Sequence, residues 1–396
     1  MHLFLIQKIK ETQNMKKIIC LLLIGALSIS MFSGCSSEEN AQSQAESQAQ
    51  TSEESSDASD GDGDFEIPEP ADTGVTKADG TPVTDPYSFF AYTGDDALPH
   101  EFHDVEDGQT VYMTTDISSE GLVKIYEALG VDLKGNVAVK LSTGENGSNY
   151  LDPDLIKDLV QEVNGTIVEC NTAYGGNRSE TAMHRQLIED HGFTEIADVD
   201  IMDEEGSLEI PVTGGTYLDA DYVGSHLANY DSMLVLSHFK GHPQGGFGGA
   251  IKNISIGIAS GEKGKSNIHS GGKSFDTGSM SEDINAFLSS MAEAGTGVRD
   301  YLGSENMVYI SVMNHLYVDC DCVENPTEPD MHDIGILAST DPVALDQACV
   351  DLVYSSDDDN AALIYRMESR NAFMTLKHAE EVGLGIRDYT IVSIDE

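Results

Sequence analysis

The chain has 396 residues, with Lys+Arg 21 against Asp+Glu 69 and a formal net charge of -48. That balance argues against nucleic acid as a partner, because such affinity rests on cationic contacts to phosphate, and against adhesion to anionic lipid headgroups. An acidic surface keeps a chain dissolved and says little about fold, while a hydrophobic content of 40% is enough for a core at this length.

In chain order, Met15-Lys16-Lys17 precedes IICLLLIGALSISMF, a charged segment and an apolar segment too short for a comfortable membrane span. It ends at Phe32-Ser33-Gly34-Cys35-Ser36, which resembles the lipobox of bacterial lipoproteins, with Phe32 a less usual residue at its position. The resemblance implies that Cys35 is diacylated and becomes the mature N-terminus. Residues 1–34 are then an upstream extension and signal peptide, and the domain is extracytoplasmic, touching the membrane through its lipid anchor only. An uncleaved anchor helix is the alternative. Residues 35–84, rich in Ser, Glu, Gln, Ala, Asp and Gly, read as a disordered acidic tether.

From about residue 85 to 396 the composition turns globular. The segment 86–135 gives no clear reading beyond an amphipathic pattern from Gly121 to Leu129. Val137 to Leu141 predicts a strand, Asp152-Pro153 a helix start, Thr166 to Cys170 a second strand, and Ser179 to His191 a second helix closed by Gly192. Further on, a helix is expected over Asp283 to Ala294 and a strand over Met307 to Met313. An apolar run covers Ile334 to Ala338, and a helix starts at Asp341-Pro342. A helix near Lys377 and a strand at Tyr389 to Ile394 close the chain. Strands alternating with helices predict an α/β fold, a largely parallel sheet flanked by helices, in one or two lobes.

The stretch MLVLSHFKGHPQGGFGGAIKNISIGIAS, Met233 to Ser260, concentrates the chemistry. An apolar strand leads into Ser237, His238, Lys240 and His242, then Gly245, Gly246, Gly248 and Gly249, then a helix start bearing Lys252. Strand, glycine loop and helix start is how an open α/β sheet places a ligand. Glycines admit close backbone approach, and the following N–H groups attract an anion. His238 and His242 are candidates for acid/base work or metal ligation, and Lys240 and Lys252 for holding an anion. Lys252 is also a candidate nucleophile. His269 follows a turn at Gly261 to Lys265 read as mobile, which would swing it over the site. Arg178, at another loop-to-helix junction, is a candidate carboxylate fork, although a surface ion pair would explain it as well.

Four cysteines remain beyond Cys20 and Cys35. Cys320-Asp321-Cys322 follows a strand and, with His315, offers thiolate and imidazole donors to a transition metal or iron–sulfur cluster. Cys349 is a further metal candidate, with core packing as its alternative. A disulfide is the other reading of the paired cysteines, although cysteines so close in sequence seldom bridge.

The segments KLSTGENGSNYLDPDLIKDLV, NTAYGGNRSETAMHRQLIEDHGF, LSHFKGHPQGGFGGAIKNISIG and CDCVENPTEPDMHDIGILASTDPVALDQACVDLV resemble, in that order, the family called domain of unknown function 362. Members are often described as iron–sulfur centre proteins, many with a ferredoxin-type C-x2-C-x2-C-x3-C module, a run this chain lacks. GFGGAIKNISIGIAS, with His238 or His242 before it and His269 after, also resembles a stretch of the lactate racemase catalytic subunit. That second resemblance implies a cofactor-holding lysine at Lys252 and acid/base or metal-binding histidines. The combined expectation is a metal- or iron–sulfur-dependent domain performing redox or proton-transfer chemistry on a small anionic substrate. A non-catalytic lipoprotein that captures a metal or anion is the alternative.

Overall fold

The computed structural model describes residues 70–395. The lipobox-like stretch, Cys35 and the acidic tether as far as residue 69 lie outside the described residues. Order begins earlier than the composition suggests. Strand β1 (Ala71–Thr76) pairs antiparallel with β2 (Pro82–Asp85), inside the segment expected to be unstructured. The polar composition hid this hairpin because one of its inward anchors is a carboxylate. Buried Asp85 meets Arg366 at 3.2 Å and Arg370 at 2.8 Å.

Strand β3 (Asp104–Thr114) fills the unread segment, and α1 (Ser119–Ala128) follows, its N-terminus capped by Ser118. Next come β4 (Val137–Lys140), α2 (Pro153–Glu162), β5 (Thr166–Glu169) and α3 (Thr181–Asp190). Helix α2 starts where Asp152-Pro153 predicts, with the Asp152 side chain accepting from the Asp154 N–H. Then β6 (Val199–Ile201) leads to a hairpin of β7 (Ser207–Pro211) and β8 (Ala220–Gly224). Strand β9 (Ser232–His238) runs into a second hairpin, β10 (Lys240–His242) with β11 (Gly246–Gly248). Helices α4 (Ala250–Ile254), α5 (Gly264–His269) and α6 (Ile284–Leu302) follow. The chain ends with β12 (Met307–Met313), β13 (Gly335–Ser339), α7 (Pro342–Ser355), α8 (Ala361–Ser369), α9 (Phe373–Glu381) and β14 (Tyr389–Ser393).

The main sheet is 8-stranded, in the order β14-β3-β13-β12-β9-β4-β5-β6. Every ladder is parallel except the two made by β13. Successive strand residues face opposite sides, and both sides are covered, as a mainly parallel sheet requires. Val137, Val139, Leu234, Leu236, Val308 and Ile310 pack against Leu122 and Ile125 of α1 and Ile156 and Leu159 of α2. Ala138, Met233, Val235, Met307 and Tyr309 pack in the other core with Ile251 and Ile254 of α4 and Val343 and Ala344 of α7. Each such side chain contributes about 1.5–3 kcal/mol by leaving water. The described residues belong to one compact unit, so the alternative of two lobes is corrected to one. Among them no helix is long and apolar enough to cross a membrane.

From β4 the chain steps outward to β5 and β6, then returns on the opposite side of β4 through β9 to β12. The order therefore reverses between β4 and β9, and the carboxyl ends of those two strands open a crevice there. One contact fixes the wall of this crevice. Asp346, fully buried on α7, accepts from the N–H groups of Ala250 at 2.7 Å and Ile251 at 2.9 Å. A side chain at Gly249 would collide with that carboxylate, so glycine is required there. We expect Asp346→Ala to lower stability by about 3 kcal/mol, since it orphans two buried donors. Asp346→Asn, which keeps an acceptor, should lose clearly less. Urea unfolding followed by circular dichroism reads both.

Candidate functional site

A cavity of about 130 Å³ sits in the crevice. A buried void of about 150 Å³ accommodates benzene, so this one suits a molecule of a few heavy atoms. Lys140 enters from the end of β4, Glu169 from β5, and Ser237 and His238 from β9. Lys240 and His242 come from β10, Gly248 from β11, and Gly249 from the turn after it. Lys252 and Asn253 lie on α4, Lys265 and His269 on α5. Arg178, Cys320 and Cys322 complete the rim.

Five cationic side chains line this space: Lys140, Arg178, Lys240, Lys252 and Lys265. Three carboxylates hold some of them. Fully buried Lys140 donates to Glu169 at 2.9 Å and to Asn253 Oδ1 at 3.0 Å. Arg178 donates to Glu145 at 3.0 Å and lies 3.6 Å from Glu169. Burial would raise the Glu169 carboxyl, but Lys140, Arg178 and His184 pull it down to about 2. Lys240 donates to Asp321, which also accepts from the Tyr317 hydroxyl and lies 3.1 Å from His238 Nδ1. Burial opposes ionisation of Asp321, and Lys240 and His238 override it, holding the carboxyl far below its usual range. Lys265 Nζ donates to the Ala259 carbonyl at 2.6 Å.

Lys252 differs from the others. Its ammonium makes no hydrogen bond or ion pair among the described residues. Burial, then the charges of Lys240, Arg178 and Lys140, push it down to about 7, with Asp321 pulling weakly the other way. Near neutral pH a large fraction is free amine.

The two histidines beside it are held in opposite tautomers. His242 Nδ1 accepts the Gly245 N–H at 2.8 Å and faces that of Gln244 at 3.3 Å. Burial, then Lys252 and His269, hold the ring well below its usual pKa and therefore neutral. A neutral ring accepting at Nδ1 carries its proton on Nε2. His269 Nδ1 lies 2.7 Å from the Lys265 carbonyl, which can only accept, so that nitrogen carries the proton and Nε2 keeps a lone pair. Burial, against the help of that hydrogen bond, brings His269 down to about 4. Its ring stacks on Phe287 with centroids 4.8 Å apart. The wall thus offers an N–H donor, a basic nitrogen and a poised amine.

Other sequence expectations are corrected. The turn from Gly261 to Lys265 does not swing His269 over the site: α5 packs Lys265, Ser266, Asn267 and Ile268 inside the protein and sets His269 in the cavity wall. At the helix start the N–H groups of Ala250 and Ile251 are taken by the Asp346 carboxylate, while Gly248 and Gly249 line the cavity. Gly245 and Gly246 stay out of the cavity wall. Gly246 takes a φ of 82° in the turn, against Ala372 and Met367. Arg178 reaches the cavity, but its fork is engaged by Glu145 and Glu169 and by the Tyr174 hydroxyl at 2.9 Å. His238 lines the cavity with both nitrogens facing acceptors, Asp321 and the Asn314 carbonyl at 2.7 Å, so it braces the wall.

The cysteines were read less well. His315 is exposed, with a φ of 46°, and stands apart from the cavity wall. Cys349 is a core residue on α7 whose thiol burial pushes far above its usual range. Cys320 and Cys322 are joined as a disulfide. With His242 they form a group whose ligand atoms lie within 4.8 Å of one another. An iron–sulfur cluster does not fit this donor set. It needs four thiolates or, in a Rieske centre, two thiolates and two imidazoles; here a single imidazole stands with two sulfurs that are bonded to each other, and Cys170, the remaining thiol at the cavity, donates to the Ile258 carbonyl at 3.2 Å. A single soft metal would find two thiolates here only after reduction.

Lys140, Glu169, Asn253, Lys265 and Asp321 were not singled out from sequence. Lys140 had a signal: a lysine ending an otherwise apolar strand must be paired or at a site. Asn253 had none, yet its amide donates to the Lys140 and Leu236 carbonyls at 3.2 Å, joining β4 to β9 across the crevice. We expect Glu169→Gln to lower stability at neutral pH by about 3–5 kcal/mol, because Lys140 is left buried without its counter-charge. Glu169 is depressed in the folded state, so its contribution is present above the unfolded carboxyl range and is lost as pH falls toward 2. Denaturant midpoints of parent and variant between pH 2 and 7 should converge at the acid end.

No curated protein matches this chain. Among solved structures, the chain is similar to the lactate racemase apoprotein from Thermoanaerobacterium thermosaccharolyticum. The identity is 12% and the TM-score 0.39, over 72% of this chain and 62% of that one. It is also similar to a protein from Thermotoga maritima at 12% identity and a TM-score of 0.33, over 73% and 61%. The chain spans about three-fifths of the length of each of those structures (62% and 61%). A family model described as Domain of unknown function (DUF362) matches residues 137–351, from the first residue of β4 into α7 and through every cavity residue named above. The chain belongs to the DUF362 family.

Proposed function

We propose that the cavity binds a small carboxylate-bearing molecule and moves a proton on it, in a domain carried outside the cytoplasm by a lipid anchor at Cys35. The observation that carries the reading is the pair of neutral imidazoles with opposed tautomers in the same cavity as a lysine brought down to about 7. His269 Nε2 takes a proton from the carbon next to the bound carboxylate. His242 Nε2–H donates to the oxygen on which charge develops, or returns a proton from its own side. Lys265, which donates to the Ala259 carbonyl, has further N–H donors for the carboxylate. The excess of cavity cations over carboxylates supplies the counter-charge that an anionic substrate matches. The lipoprotein part of the proposal is supported by the sequence from Met15 to Cys35 alone.

A second reading has its own observation. His242, Cys320 and Cys322 converge closely enough to chelate a soft metal once the sulfurs are reduced, which would suit a capture protein. The ring of His242 weighs against it, since a nitrogen accepting two backbone N–H groups leaves the proton on the nitrogen a metal would need.

Solvent exchange separates the two. Small carboxylic acids of two to five carbons are incubated with the full chain in deuterated buffer and followed by proton NMR. We expect catalysed exchange at the carbon next to one carboxylate, and a loss of about 100-fold or more in His269→Asn, the scale of a removed general base. Because His269 stays unprotonated above about 4, the rate should not fall on its account between pH 8 and pH 5. Absence of exchange for every acid, together with stoichiometric metal bound only by the reduced protein, would replace the first reading with the second.

A further inference from the structure

Lys252 faces the charges of Lys240, Arg178 and Lys140 more strongly than that of Asp321, and no hydrogen bond or ion pair among the described residues holds its nitrogen. The other cavity ammoniums are tied: Lys140 to Glu169 and Asn253, Lys240 to Asp321, and Lys265 to the Ala259 carbonyl. A lysine whose role is to bind a carboxylate as an ammonium gains from a nearby counter-charge that keeps it protonated. Lys252 has instead the conditions that make an amine nucleophilic, namely removal from water and like charges close by. The cavity volume of about 130 Å³ admits a three- to five-carbon acid and little more. On its walls stand a donor at His242 Nε2 and a free base at His269 Nε2, the groups that carbonyl addition and a following proton removal both need.

Resting on the anion-binding reading above, the geometry points to Lys252 as a nucleophile that forms an imine with the carbonyl of a small 2-oxo acid. The neutral Nζ adds its lone pair to the carbonyl carbon, giving a carbinolamine. The oxygen takes a proton through His242 Nε2, which is reprotonated from water, and departs as water, while the nitrogen keeps its second proton, leaving a protonated carbon–nitrogen double bond. His269 then takes a proton from the carbon next to the imine, and the released electron pair enters the enamine. No oxidant or further co-reactant is needed. The carboxylate of the same molecule stays within reach of Lys265.

The test is reductive trapping on the full chain. Pyruvate and sodium cyanoborohydride are added at pH 7, and adducts are located by intact-mass and peptide-mapping mass spectrometry. At that pH an ordinary lysine, with a pKa near 10.4, is roughly a thousandfold poorer in free amine than one titrating at about 7. We expect one dominant reduced pyruvyl adduct, on Lys252, at least about tenfold above any surface lysine. It should disappear in Lys252→Arg and in Lys252→Met, with folding of both checked by circular dichroism. Propionate, an acid of the same length without the carbonyl, should slow trapping and bind by calorimetry without an adduct. If propionate binds and Lys252 remains unmodified, the imine is overturned while the anion site stands. If neither acid binds and no adduct forms on Lys252, both readings fall. Labelling spread over surface lysines and unchanged in Lys252→Arg likewise overturns the imine.

Discussion

Burying several ammoniums and a guanidinium at one crevice is possible only because carboxylates are buried with them. An isolated buried charge costs several kcal/mol even after relaxation, and here Glu145, Glu169 and Asp321 take up Arg178, Lys140 and Lys240. The match is incomplete. Lys265 and Lys252 are left over: Lys265 is held by the Ala259 carbonyl alone, and Lys252 gives up part of its charge near neutral pH. The same cationic surroundings, added to burial, keep His242 and His269 neutral. Burial first, and the surplus of positive charge after it, set the protonation states of Lys252, His242 and His269. The chain carries -48 overall, but charges more than about a Debye length from the crevice, ~8–10 Å in physiological salt, are largely screened there. Attraction is local to the crevice.

The fold turns that imbalance into a fixed geometry. Reversal of strand order between β4 and β9 opens the crevice, and parallel register brings Lys140 and His238 to the same edge. Asn253 bridges the two strands from α4, and Asp346 locks the start of that helix from the far side. Because Asp346 takes up the N–H groups of Ala250 and Ile251 internally, the charged groups lining the cavity are side chains. This separates the cavity from a phosphate-cradling loop despite the similar spacing of glycines.

Sequence reasoning reached the layer order and the crevice because both rest on periodic signals. Apolar runs such as Met233 to Leu236 and the Asp-Pro helix starts at Asp152 and Asp341 depend only on local stereochemistry. It located His242, Lys252 and His269 at the cavity through their density around one glycine cluster. It missed what depends on contact between distant segments. Asp321 sits between two cysteines that drew attention to themselves, yet it is the hub for Lys240, His238 and Tyr317. Glu169 reads as the polar end of a strand, and only folding brings Lys140 and Arg178 to it. Strand β2 was lost in an acidic, small-residue composition because its inward residue Asp85 is charged and finds its two arginines some 280 positions later.

The chemistry proposed for the cavity depends on two imidazoles being neutral and oppositely protonated at the same pH. Long-range proton–nitrogen-15 NMR on histidine-labelled protein measures this directly, since the two ring nitrogens of each tautomer differ widely in shift. At pH 7 the expected result is a proton on Nε2 of His242 and on Nδ1 of His269, with neither ring cationic. Finding either ring doubly protonated, or both carrying the proton on the same nitrogen, would contradict the account.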